Sequence, residues 1–121
     1  MTAEQFEQSQ LIAWTMLPEI RQEHPDLKLL YHVPNERKCT PQQGAALKRM
    51  GVKKGVPDLC LPVARHGQHG LYIEMKSTAK TARVAPEQEW WVEELLAQGY
   101  AVAICRGWEA AKKVILEYME E

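Results

Sequence analysis

The sequence predicts an α/β fold, a small mixed β-sheet flanked by helices, with elements in the order α-β-α-β-β-α-β-α. Three observations carry this prediction. Short apolar runs of strand length follow Asp58, precede Glu74 and span Tyr100 to Cys105. Longer stretches at 41–50 and 86–98 open on proline and close on glycine, as helices do. Strands and helices alternate along the chain, and a small mixed sheet covered by helices on both faces is the natural way to bury that order. At 121 residues there is room for one core, so residues 1–121 are expected to form one domain. No repeat or linker interrupts it.

Residues 3–23 read as a helix with Phe6, Ala13, Leu17 and Ile20 on one apolar side; Pro18 should bend or divide it. Lys28 to Val33 reads as a strand closed by Pro34-Asn35. Thr40-Pro41 starts a helix, with Thr as N-cap, that Gly51 stops after Met50. Residues 58–63 and 71–76 read as a hairpin around the polar turn Arg65-His66-Gly67-Gln68-His69-Gly70. Pro86 opens a helix with Glu87 and Glu89 favourably placed in its first turn, and Gly99 ends it. Tyr100 to Cys105 is a strand, and 108–119 a closing amphipathic helix whose Val114, Ile115, Tyr118 and Met119 suit either the core or a dimer surface.

A hydrophobic share of 45% and a charged share of 26% fit a soluble globular chain. No apolar run approaches the ~18 residues of a membrane span, and the acidic, polar start is unlike a secretion signal. Cys39, Cys60 and Cys105 are odd in number and follow no metal-ligand spacing, which favours a reducing cytoplasm, with Cys60 and Cys105 in the core. The net charge of −1 conceals an asymmetry. Residues 37–83 hold ten Lys/Arg and two acids, Asp58 and Glu74, while the rest holds five basic and fourteen acidic residues. Such a block attracts a polyanion, and the candidate DNA contacts are Arg37, Lys38, Lys48, Arg49, Lys53, Lys54, Lys80 and Arg83.

The two acids of the basic block lie in the hairpin. Folded about residue 66, paired positions sum to about 132, so Asp58 faces Glu74. Facing carboxylates on a half-buried surface repel, and the usual remedy is a cation between them. Alternation puts Glu74 and Lys76 on one face, Ile73 and Met75 on the other. Two hard oxygen ligands suit Mg²⁺ or Mn²⁺, and an adjacent ammonium can position or deprotonate water, or neutralise charge in a phosphoryl transition state. This is the equipment of metal-dependent phosphodiester cleavage. Gln88 shares the inward stripe of its helix with Val92 and Leu95, so its amide needs a partner, either the helix-start backbone or the site.

The Pro57-Asp58 … Glu74-Met75-Lys76 signature resembles the PD-(D/E)XK nuclease superfamily. With Gly51-Val52-Lys53-Lys54-Gly55-Val56 ahead of it, Gly70-Leu71-Tyr72-Ile73 before Glu74, and Gln88, Trp91 and Gly99-Tyr100 after it, the chain is similar to the VRR-NUC branch over nearly its whole length. The resemblance implies a restriction-endonuclease-like sheet and the backbone carbonyl of Met75 as a further metal ligand. It also implies Gln88 as an accessory polar residue of the active site and one more acid from the first helix. On that helix Glu4 shares a stripe with Gln8, Leu11 and Thr15, and Glu7 with Leu11 and Trp14; Glu4 fits the family pattern better. Stand-alone members of this branch are phage-associated and act on branched DNA, four-way junctions included, as homodimers. The expectation is therefore a cytoplasmic, DNA-cleaving homodimer that needs neither a membrane nor a nucleotide cofactor.

Two rival readings are a catalytically silent DNA-binding accessory factor of replication or repair and a sequence-specific restriction endonuclease. Intact Asp58, Glu74 and Lys76 weigh against the first, and the lack of an extra recognition domain against the second. His66 and His69 have no third ligand and read as a hairpin tip. Of Trp90 and Trp91, one is expected to face the core. Asn35-Glu36-Arg37-Lys38 reads as a turn or, by the resemblance, a segment near the DNA backbone.

Overall fold

In the computed structural model, residues 1–34 and 40–120 are described. Helix α1 spans Ala3–Thr15 and begins with a full capping box: Thr2 accepts from the Gln5 backbone N–H, and the Gln5 side chain accepts from Thr2. The helix stops before Pro18, which starts a separate α2 over Pro18–Glu23, so the proline divides the predicted helix. Of the apolar side expected of it, Ile20 packs against the core, but Phe6, Ala13 and Leu17 do not. Phe6 is 50% and Leu17 42% exposed, and the buried positions are Leu11, Trp14 and Thr15.

The strand predicted from Lys28 is also corrected. Pro25 fixes the backbone φ and begins a 3₁₀ helix over Pro25–Leu29 that sinks Leu27 into the core, leaving only β1, Tyr31–His32. Helix α3, Pro41–Arg49, repeats the capping box with Thr40 and Gln43 and ends beside Gly51, whose φ of 96° favours glycine.

Strand β2 is Leu59–Leu61 and β3 is Leu71–Lys76. They pair antiparallel with Leu59 opposite Ile73 and Leu61 opposite Leu71, the register read from the sequence. β2 ends sooner than expected because Pro62 has no N–H for the ladder. The hairpin closes tightly, with Arg65 and Gln68 exchanging backbone hydrogen bonds across His66 and Gly67, both at positive φ. Helix α4, Pro86–Ala97, then returns the chain to β4, Ala101–Arg106, which runs parallel to β3. Helix α5, Trp108–Met119, completes the chain. The sheet order is β1-β2-β3-β4.

Leu71, Ile73 and Met75 of β3 point into the core that α1 and α5 cover. Ile115, Tyr118 and Met119 are buried there too, and Tyr118 Oη donates to the Val63 carbonyl at 2.6 Å. The apolar stripe of α5 is therefore core, not a dimer surface. Cys60 and Cys105 are buried, as expected. Among the described residues no helix is long and apolar enough to cross a membrane.

Candidate active site

Alternation along β3 sends Glu74 and Lys76 to the face away from that core, yet both are buried, at 3% and 6% exposure. Asp58 stands one residue before β2. Its carboxylate continues the ladder that its backbone leaves, since Asp58 Oδ2 accepts from the Met75 N–H at 2.7 Å. The N–H and C=O of one strand residue leave the same edge, so the Met75 carbonyl also lies on the Asp58 side. The Asp58 carbonyl in turn accepts from the Val33 N–H at 2.7 Å and lies 3.0 Å from His32 Nδ1. Gln8 Nε2 is 3.2 Å from the same ring nitrogen. With the proton on Nδ1, His32 donates to the Asp58 carbonyl. This tie from β1 to the Asp58 backbone has no local sequence signal; only the sheet order brings His32 there.

Glu74 Oε2 accepts from Gln88 Nε2 at 2.8 Å and is 3.8 Å from the Lys76 ammonium. Gln88 Oε1 meanwhile accepts from the Ala85 N–H at 2.8 Å, so one amide closes the start of α4 and bonds the Glu74 carboxylate. The other Glu74 oxygen, Oε1, is buried with no hydrogen-bond partner among the described residues. Burial raises the Glu74 carboxyl to about 8, with repulsion from Asp58 adding to it and the Lys76 charge opposing it.

Glu4, Lys54, Gly55, Val56, Asp58, Glu74 and Gln88 line a cavity of about 230 Å³. Glu4 also pushes the Glu74 carboxyl upward through its charge. Glu7 turns elsewhere: its Oε1 accepts from the Trp108 N–H at 2.8 Å, supplying the cap that Gly107 has no side chain to give α5. Of the two acids on α1, the fold brings Glu4 to Asp58 and Glu74.

Of the basic residues, Lys54 lines the cavity and Lys53 neighbours it. Lys48 and Arg49 occupy the last turn of α3. Lys80 and Arg83 lie between β3 and α4, where Arg83 Nη1 donates back to the Lys80 carbonyl at 2.7 Å. Arg37, Lys38 and the rest of the 35–39 segment lie outside the described residues. The two hairpin histidines part company, His66 Nε2 meeting the Tyr118 carbonyl at 3.0 Å and His69 packing on Tyr100. Neither Trp90 nor Trp91 joins the core, against expectation. Trp90 is 55% exposed, and Trp91 Nε1 donates to the Lys54 carbonyl at 3.1 Å. Leu95 takes the inward position of that helix instead.

Among the described residues no three His, Cys, Asp or Glu side chains form a group able to hold a metal unaided. The donor set still suits a hard divalent cation of the Mg²⁺ kind, which takes one or two carboxylates and completes its shell with water and substrate phosphate. The orphaned, buried Glu74 Oε1 beside a second carboxylate is the polar vacancy such an ion would fill.

The sheet thus sets Asp58, at the entry to β2, beside Glu74 and Lys76 of β3, with Glu4 of the first helix lining the same cavity. The VRR-NUC domain model matches residues 8–109, and the chain belongs to the VRR-NUC family. Glu4 lies just outside that match. A solved structure titled VRR_NUC domain protein superposes with a TM-score of 0.79 at 29% identity, covering 98% of this chain and 89% of the other. No curated protein matches the chain. Nucleases of this family are generally dependent on a divalent metal, and DNA is the partner the domain implies.

Proposed function

We propose that the protein is a Mg²⁺- or Mn²⁺-dependent endodeoxyribonuclease that cuts branched DNA, four-way junctions included, as a homodimer. The observation that carries this reading is the Glu74 carboxylate. One oxygen is held by Gln88 and Lys76, and the other is buried and unsatisfied in a cavity it shares with Asp58. Two carboxylates that push on each other in a buried site favour a cation between them.

Asp58, Glu74 and the Met75 carbonyl would hold the cation, which when bound activates water and polarises the scissile phosphate. Lys76 places its ammonium beside Glu74 to orient the attacking water and offset the charge that gathers as the new P–O bond forms and the ester oxygen departs. Gln88 fixes the Glu74 rotamer, and Met75 N–H fixes Asp58. Glu4, which lines the same cavity, would be an added acceptor for water around the cation. Lys48, Arg49, Lys53, Lys54, Lys80 and Arg83 would carry the DNA backbone. One chain holds one such site and a symmetric junction cut needs two, which calls for a two-fold dimer.

The test is cleavage of a linear duplex, a flap, a splayed arm and a four-way junction, with Mg²⁺, Mn²⁺ or chelator, alongside sedimentation. The expected result is metal-dependent cutting, fastest on the branched forms, by a dimer. A monomer that cuts only linear duplex, or cutting in chelator, would overturn the reading.

A further inference from the structure

Beside the catalytic cavity, Lys53, Lys54, Pro86, Glu87, Trp90 and Trp91 enclose a second, open pocket of about 540 Å³. Lys54 lines both, so the two are neighbours. We propose that this pocket seats one unpaired nucleotide of the DNA substrate, its base stacked on Trp90 and its phosphate on Lys53 and Lys54. The inference rests on the nuclease reading and adds the feature of branched DNA that is recognised.

Trp90 is 55% exposed and stands edge-on to Trp91, with ring centres 5.4 Å apart and planes at 89°. An exposed indole braced by a second one is a stacking platform, and every base has a face to offer it. The walls of the pocket are joined to each other. Trp91 Nε1 fastens α4 to the Lys54 carbonyl at 3.1 Å. Gly55, at φ 92°, packs so closely on α4 that a Cβ there would come within 2.8 Å of the Glu87 backbone. The loop bearing both lysines is thus tied to the helix bearing both tryptophans at two points.

The charges choose the occupant. Lys53 has no acidic partner among the described residues, and Lys54 is only loosely paired, 3.6 Å from the exposed Glu87. A phosphate can displace that contact. Intact duplex keeps its bases stacked inside and offers no free face, whereas flaps, splayed arms and strand-exchange points do. The volume falls in the range of pockets that take a small-molecule-sized group.

The experiment measures binding, not cleavage, on the full chain in chelator. Fluorescence anisotropy compares a blunt duplex with the same duplex carrying a short single-stranded thymidine tail, and tryptophan emission is recorded with each. The expected preference for tailed DNA is roughly tenfold, the scale of one stacked base, with quenching by the tail alone. Trp90→Ala should erase the preference and leave blunt-duplex affinity unchanged, while Trp90→Phe, which keeps a stacking ring, should retain most of it. A preference that survives Trp90→Ala, or a wild type that binds both DNAs equally and is not quenched, would overturn the pocket while leaving the nuclease reading intact. Binding of neither DNA would overturn both.

Discussion

Gln88 and Glu74 are joined through a single amide that also starts a helix. Its nitrogen donates to Glu74 Oε2 at 2.8 Å while its oxygen accepts from the Ala85 N–H at 2.8 Å. The fold of α4 and the orientation of the site carboxylate therefore depend on the same side chain. Gln88→Leu removes both bonds and is expected to cost about 1–2 kcal/mol of stability and to slow cleavage. Gln88→Glu keeps the backbone acceptor but, above about pH 8 where Glu74 is ionised, faces it with another carboxylate. Denaturant titration in chelator at that pH should find Gln88→Glu less stable than wild type, with added Mn²⁺ narrowing the gap. Wild-type stability of Gln88→Glu at that pH would show that the Glu74 contact contributes nothing.

Three helices open on the same spacing, with glutamine three residues after the cap, but only Thr2 and Thr40 return a side-chain bond. Ala85 has no hydroxyl, so the Gln88 backbone N–H lacks its capping acceptor. Ala85→Ser is expected to complete the box and add about 1 kcal/mol with cleavage unchanged. A thermal melt checks the first outcome and a rate measurement the second. A lower melting temperature would mean that the serine competes for the Gln88 side chain.

Much of this was legible because it is local or periodic. The hairpin register followed from one turn and two apolar runs, and it placed Asp58 opposite Glu74. Proline and glycine marked both ends of α3 and α4. The misread parts depend on what packs from far away. Phe6 and Leu17 are as apolar as Leu11, but the side of α1 that faces inward is set by β3 and α5, which bury Leu11 and Trp14. His32 and Glu7 look ordinary in sequence, and their bonds to Asp58 and Trp108 span 26 and 101 residues. Trp90 and Trp91 look like core by composition, yet the Lys54 loop, not the sheet, receives Trp91.

The raised Glu74 carboxyl has a signed consequence for stability. Its pKa is about 8 in the fold against an ordinary 4.5. Between those values the folded chain keeps a proton that the unfolded chain gives up, so metal-free stability should fall as pH rises from about 4.5 to about 8 and level off above it. In chelator, wild type should lose melting temperature relative to Glu74→Gln between about pH 5 and pH 9. Divalent cation should restore the wild type alone at alkaline pH. Binding that cation near neutrality should release a proton, seen as buffer-dependent heat in calorimetry. A difference between wild type and Glu74→Gln that stays constant across the range would place the Glu74 carboxyl near its ordinary value.

Lys76 separates a catalyst from a DNA-binding module most directly. Its side chain is buried and its ammonium stands 3.8 Å from Glu74 Oε2, so it is poorly placed to grip a phosphate from outside. Its charge should act where negative charge develops as the phosphoester is broken, more than on DNA already bound. Lys76→Met is therefore expected to lower the single-turnover cleavage rate by orders of magnitude with little change in DNA affinity. The same substitution removes the one cation that opposes the rise of the Glu74 pKa, so cation binding should shift to higher pH without being lost, because Asp58 and Glu74 remain. Lys53→Ala serves as the contrast, weakening binding and flattening its salt dependence while sparing the rate at saturating enzyme. If Lys76→Met behaved like Lys53→Ala, the lysine would be a phosphate contact, and the catalytic reading of the Glu74-Met75-Lys76 strand would fall with it.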